Sequence, residues 1–238
     1  APKKPVEKKP SAAPAQPPAA AAPSAAKVIT GAAVAGVGLL PLLAKAESPD
    51  YNQLVIPTKK GAPSTAPLTG MTIKEVLAYQ DSMIKSGSYP SSAVGKYQII
   101  KNTLEGGVKD LKLNLNDKFD EKTQDRLYFE YLTGSKRKNL NAYLTGKSDN
   151  LEMAQMDMAM EFASFGVPRD VKAGEFGKGS PARDIRRGQS FYAGDGANKA
   201  SVTPEQSATS LAQERDVRMG KKVTPAPVAP TTGSTVDS

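Results

Sequence analysis

LLAKAESPDYNQLV, Leu42 to Val55, sets a single glutamate, Glu47, between an apolar run and a turn-forming Ser-Pro-Asp. Either Glu47 is a solvated charge where a helix ends, or it is a carboxyl in a half-dry pocket that can donate a proton. A free glutamate, with a pKa near ~4.3, is ionised at neutral pH. Packing against Leu42, Leu43 and Ala46 would favour the protonated form, and so would the negative end of a helix dipole. Upstream, LLPLLAKAES reads as a short core helix with Pro41 in its first turn, where proline is well tolerated, ending at Glu47. The longer run from Val28 to Ala46 imitates a secretory signal, with Lys27 in front and Ala44-Lys45-Ala46 as a cleavage-like site. Glycine and proline interrupt it, and it falls short of the roughly 20 apolar residues of a membrane span.

What the chain lacks gives the proton-donor reading its force. Its 238 residues contain no cysteine and no histidine. That excludes disulfides, thiol nucleophiles, cysteine zinc sites and the usual histidine base of serine and cysteine hydrolases. Carboxylates remain as acid and base, and glycoside cleavage is the reaction class built on them. The net charge of +8 favours anionic partners such as cell-wall polymers, membrane surfaces or nucleic acid without choosing among them. The chain opens on alanine, as expected of a processed product or a piece of a longer protein.

Residues 1–26 are almost entirely Ala, Pro and Lys, and 221–238 have a similar character, so both read as disordered tails. Between them the pattern is helical. A capping box, Thr72 with Glu75, opens TIKEVLAYQDSMIKSG, whose apolar face is Ile73, Val76, Leu77 and Ile84. Helical spacing continues through Ile99, Ile100, Leu104, Val108 and Leu111. A further helix starts at an Asp120 cap and carries Leu127, Tyr128, Tyr131 and Leu132, and a short one is expected over 140–144. Asn150 caps LEMAQMDMAMEFASFG, ended by Gly166 and Pro168, with Met153, Met156 and Met160 as core filling. A glycine-rich loop and a helix or linker over 201–220 complete the chain. The fold class predicted is α+β, mainly α, with a small irregular β region between Tyr51 and Gly70, in one domain over 27–200.

Three stretches carry the chemistry: LLAKAESPDYNQLV, SSAVGKYQIIKNTL and MAMEFASFGVP with the later SFYAGDGANKA. In this order they resemble the lysozyme-like superfamily, in particular the phage lambda-type endolysins, which are lytic transglycosylases. FDEKTQDRLYFEYL adds to the resemblance, which covers about Leu39 to Ala200 and is most specific in AVGKYQ together with TQD. Pro49 stands where the family has a glycine after Glu-Ser, and there is no tryptophan. The resemblance implies a lysozyme-like fold, with Glu47 acting first as acid and then as base while the sugar's own C6 hydroxyl attacks C1. A hydrolase would need a second carboxylate, for which Asp50 and Asp81 are the candidates. Asp50 reads equally as a turn residue and Asp81 as a surface charge.

Gly95 would admit a sugar ring close to the backbone. Tyr97 would offer an aromatic face or a hydroxyl, Gln98 an amide, Asn52 a partner for an N-acetyl group, and Tyr192 the far wall of the cleft. The function expected is cleavage of the MurNAc-GlcNAc β-1,4 bond of peptidoglycan, with no metal or organic cofactor implied. Its setting would be a phage virion or the host cell, acting in the bacterial periplasm or cell wall. Partners would be glycan strands and, through the tails, other virion proteins, with no specific nucleic acid. The rivals are a non-catalytic virion or wall-binding protein on the same fold, and a membrane-active carrier inserting residues 28–46.

Overall fold

The computed structural model describes residues 38–46, 50–177, 179–193 and 200–223. Residues 1–26 and 224–238 and Glu47 lie outside them, as does most of the signal-like run. Among the described residues, seven α-helices make up most of the regular structure: α1 (Leu39–Ala46), α2 (Ile73–Lys85), α3 (Lys101–Asp110), α4 (Glu121–Arg126), α5 (Lys138–Leu144), α6 (Leu151–Glu161) and α7 (Pro204–Arg218). The chain is mainly α. No described helix is long and apolar enough to cross a membrane.

The helix at the centre is α6. Its residues Ala154 to Ala159 are all buried, so it has no polar face and packs on both α5 and α7. Two polar side chains go inside with it, and each is satisfied. Asp157 Oδ2 accepts the Asn139 and Leu140 amides at 2.9 and 3.0 Å, capping α5 from a neighbouring helix. Gln155 Nε2 donates to Pro204 O and Ser207 Oγ at 2.6 and 2.7 Å, which seats the start of α7.

The helix starts follow their sequence signals. Thr72 and Glu75 form the expected capping box, and Asp120 and Asn150 accept from Thr123 N and Met153 N. Other expectations are corrected by packing. Ile84 is 52% exposed, and the inner face of α2 uses Gln80 and Met83 beyond Ile73 and Val76. Helix α3 begins only at Lys101, because Val94 and Ile99 pair across a tight turn instead of winding into it. Helix α6 stops at Glu161, five residues before Gly166, where Phe162 turns extended. The region expected to be a helix or linker after residue 200 is α7, which packs on α1, α5 and α6 and buries Leu211 and Ser207.

Helix α4 widens into a π-helical segment, Leu127–Ser135. Leu127 and Tyr128 are buried, and so are Leu132 and Thr133, at a spacing of five. An α-helical register would turn one of these pairs outward; the wider turn keeps both inside. The small sheet expected over Tyr51–Gly70 does not form. Among the described residues there are only isolated bridges, including Gln53 with Thr65 and Leu54 with Val94. Pro57, Pro63 and Pro67 lack the N–H groups that a ladder needs.

Removing the carboxylate of Asp157 leaves two amides at the start of α5 without an acceptor. Asp157→Ala should lower unfolding stability by about 2–3 kcal/mol, read as a shift in the denaturant midpoint, with Asp157→Asn losing less.

Candidate functional site

The residues that distinguish this chain meet around one buried amide. Gln124, fully buried in α4, donates from Nε2 to Tyr51 O and Phe119 O at 3.0 and 3.1 Å, and its Oε1 accepts Lys96 N–H at 3.1 Å. The next residue, Asp125, accepts both the Tyr51 hydroxyl, at 2.8 Å, and the Tyr97 hydroxyl, at 2.7 Å. Lys96 Nζ donates to Tyr51 Oη at 3.0 Å and lies over the Tyr51 ring, 4.4 Å from its centroid. Backbone bonds from Gly95 N to Gln53 O (2.7 Å) and Val55 N to Ala93 O (3.0 Å) complete the seam. The Gln-Asp of TQD, the Gly-Lys-Tyr of AVGKYQ and the segment just after Glu47 thus form one hydrogen-bonded unit.

Burial, followed by the bond to Asp125, pushes both the Tyr51 and the Tyr97 phenol well above the ordinary value. Both phenols stay protonated, as donors to a carboxylate must.

Of the saccharide contacts expected from sequence, Asn52 alone borders an open depression, of about 340 Å³, lined also by Asp50, Thr65, Ala66 and Pro67. Its Oδ1 accepts from Thr69 N at 3.0 Å and Thr69 Oγ1 at 3.2 Å, which fixes the orientation of the amide. Its Nδ2 makes no hydrogen bond among the described residues and remains a donor. Asp50 accepts from Asn52 N at 2.8 Å and begins the turn.

The other expected contacts serve the fold. Tyr97 is 2% exposed, stacked on Tyr128 at 4.5 Å between ring centroids, and its hydroxyl is taken by Asp125. It presents neither face nor hydroxyl to a ligand. Gly95 has φ +75°, and a Cβ there would collide with Gln124 Oε1, so its missing side chain makes room for the amide rather than for a sugar. Gln98, itself at φ 46°, donates back to Gly95 O at 3.0 Å and closes the turn.

Tyr192, 41% exposed, donates to Met160 O at 2.7 Å. It sits at the end of α6 with Glu161, whose nearly buried carboxylate takes Lys136 at 2.6 Å and Arg137 at 2.9 Å. Asp81 is an ion-paired surface charge, 2.6 Å from Lys101. Glu47 lies outside the described residues.

Sequence reasoning singled out TQD as a motif but gave Gln124 and Asp125 no role, and it passed over Lys96 and Tyr51. The signal was the joint occurrence of GKYQ and TQD, two short polar strings 28 positions apart between Lys96 and Gln124. No family model, no curated protein and no solved structure matches the chain.

Replacing Gln124 by leucine leaves two carbonyls and one amide without their partner, the Phe119 carbonyl fully buried. The expected cost is about 3 kcal/mol or more, measurable by chemical denaturation. The tyrosines add a pH signature. Their folded pKa values lie above the unfolded value of 10.0, so their contribution is fully present below pH 10 and is lost as pH rises from there toward the folded values. Stability should therefore fall above about pH 10, and Tyr97→Phe should fall less steeply with pH from a lower starting stability.

Proposed function

We propose that the chain is a peptidoglycan-cleaving enzyme of the lysozyme-like kind. It would cut the MurNAc-GlcNAc β-1,4 bond with Glu47 as general acid and base, as a lytic transglycosylase or muramidase of phage origin. One observation carries this reading. Three of the strings that carry the family resemblance, the segment after Glu47, AVGKYQ and TQD, are bonded together through Gln124 and Asp125, beside an open depression that Asp50 and Asn52 border.

In the transglycosylase form, Glu47 gives its proton to the glycosidic oxygen as the bond to C1 breaks. The C6 hydroxyl of the same sugar then attacks C1 and returns its proton to Glu47, leaving a 1,6-anhydro end and a regenerated acid. Glu47 follows in sequence the apolar helix α1, whose Leu39 and Leu43 are buried, and a general acid needs such apolar company to keep its proton. Asn52 Nδ2 would donate to the N-acetyl carbonyl. Lys96, Tyr97 and Asp125 would act at a distance, holding the chain after Glu47 in one geometry. Peptidoglycan strands in the periplasm or wall would be the substrate, and the basic tails would tether the enzyme to anionic wall or to virion partners.

The rival is a virion or wall-binding protein that keeps such a fold without the chemistry. It draws on the structural use of Gly95, Tyr97 and Gln98, which leaves Asn52 with little company at the depression.

Digestion of purified sacculi, with the released muropeptides weighed by mass spectrometry, separates these readings. Anhydro-ended fragments that fall by about 100-fold or more in a folded Glu47→Gln variant are the expected result. Reducing ends would make the enzyme a hydrolase and direct attention to Asp50 as base. No release by the wild type would leave the binding protein.

A further inference from the structure

Beyond Pro67, which lines the first depression, the surface falls into a second and larger one of about 590 Å³. Its lining is Pro67, Gly70, Met71, Glu75, Ala78, Tyr79 and Lys118. Pro67, Met71, Ala78 and the Tyr79 ring give it an apolar floor, and Glu75 and Lys118 add one charge of each sign. Both charges are fixed in place. Glu75 Oε2 is held by Thr72 N at 2.6 Å and Thr72 Oγ1 at 2.8 Å, in the capping box of α2. Lys118 Nζ donates to Gly70 O at 2.6 Å, and its backbone is bridged to Thr72.

Neither charge is used up. Glu75 Oε1 accepts no hydrogen bond among the described residues, and an ammonium that gives one bond to Gly70 has two N–H groups left. The bonds from Thr72 hold the Glu75 carboxyl below the usual range, so it is anionic at neutral pH. A short peptide that carries an ammonium and a carboxylate on an aliphatic stem matches this arrangement in shape and charge. Because both charges are already positioned, little side-chain ordering is left for binding to pay.

We propose that this second depression binds the stem peptide of peptidoglycan, its free ammonium at Glu75 and a carboxylate at Lys118, while the sugar that bears the peptide occupies the first depression across Pro67. This rests on the reading of the chain as a peptidoglycan enzyme and adds to it a peptide subsite.

The test uses the full chain and the tripeptide L-Ala-γ-D-Glu-L-Lys, followed by nuclear magnetic resonance on the Met71 methyl and the Tyr79 ring. Saturable shifts at these two residues are expected, weakened several-fold by Lys118→Gln, by Glu75→Gln and by added salt. Glutamine also serves in a capping box, so Glu75→Gln keeps α2 intact, which an unchanged melting temperature would verify. No shifts, or shifts indifferent to both substitutions, overturn the peptide subsite. Sacculus cleavage is measured separately on the same proteins. Cleavage without peptide binding removes the subsite and leaves the enzyme reading standing. Peptide binding without cleavage keeps the subsite and removes the enzyme reading. Where both hold, Lys118→Gln should raise KM on intact strands and leave KM unchanged on strands stripped of peptide.

Discussion

Three stretches of chain, at Tyr51, Lys96 and Phe119, depend on one side-chain amide for their mutual position. Among the described residues, Gln124 is the polar side chain that bonds all three backbones, and it is itself sealed from water. Two features of the chain are explained by this amide. A side chain at position 95 would occupy its space, so position 95 is glycine. And Asp125, carried beside it on α4, is brought within reach of two phenols whose hydroxyls need an acceptor. The turn from Gly95 to Gln98 and the loop after Asp50 are thereby parts of one rigid piece.

The late loop is organised differently. Between α6 and α7 the described residues form no helix or extended strand, yet Phe165, Val167, Val171, Ile185 and Phe191 are all buried. Gly166 lies so close to Gly188 that no Cβ fits between them. Around this small core runs a series of exposed ion pairs: Arg169 with Glu152 and Glu175, Lys172 with Asp184, Arg186 with Asp170, and Arg187 with Glu205. Singly such pairs contribute little. The register of the segment is set instead by paired backbone bonds, Val171 with Ile185 and Val167 with Gly188 and Gln189.

The starts of the helices were the most legible part of the fold. A cap is a local device: Thr72, Asp120 and Asn150 bond to amides three residues ahead, and the sequence shows both partners at once. What escaped was set by contacts between distant residues. Nothing near Ile84 says that Gln80 goes inside in its place, because the carbonyls it bonds belong to Ser92 and Ile99. The five-residue spacing of the π-helical segment looks, at short range, like an ordinary amphipathic helix. The candidate site was half legible for the same reason. The strings GKYQ and TQD stood out as strings, but that Tyr97 faces Asp125 and Tyr128 rather than a ligand depends on the fold that unites them. Gln98 Nε2 and the Tyr192 hydroxyl likewise donate to Gly95 and Met160.

The first helix has a long-distance debt. The amide of Leu39, at the start of α1, finds its acceptor in the carboxylate of Glu214, 175 residues later, and Glu214 is itself held by Arg218 near the end of α7. A polypeptide is made from its amino terminus, so α1 emerges from the ribosome long before the group that caps it exists. The helix that leads into Glu47 therefore lacks this anchor until some 175 further residues have been made. It is seated only when α7 arrives, so the first and last of the described helices close the fold together.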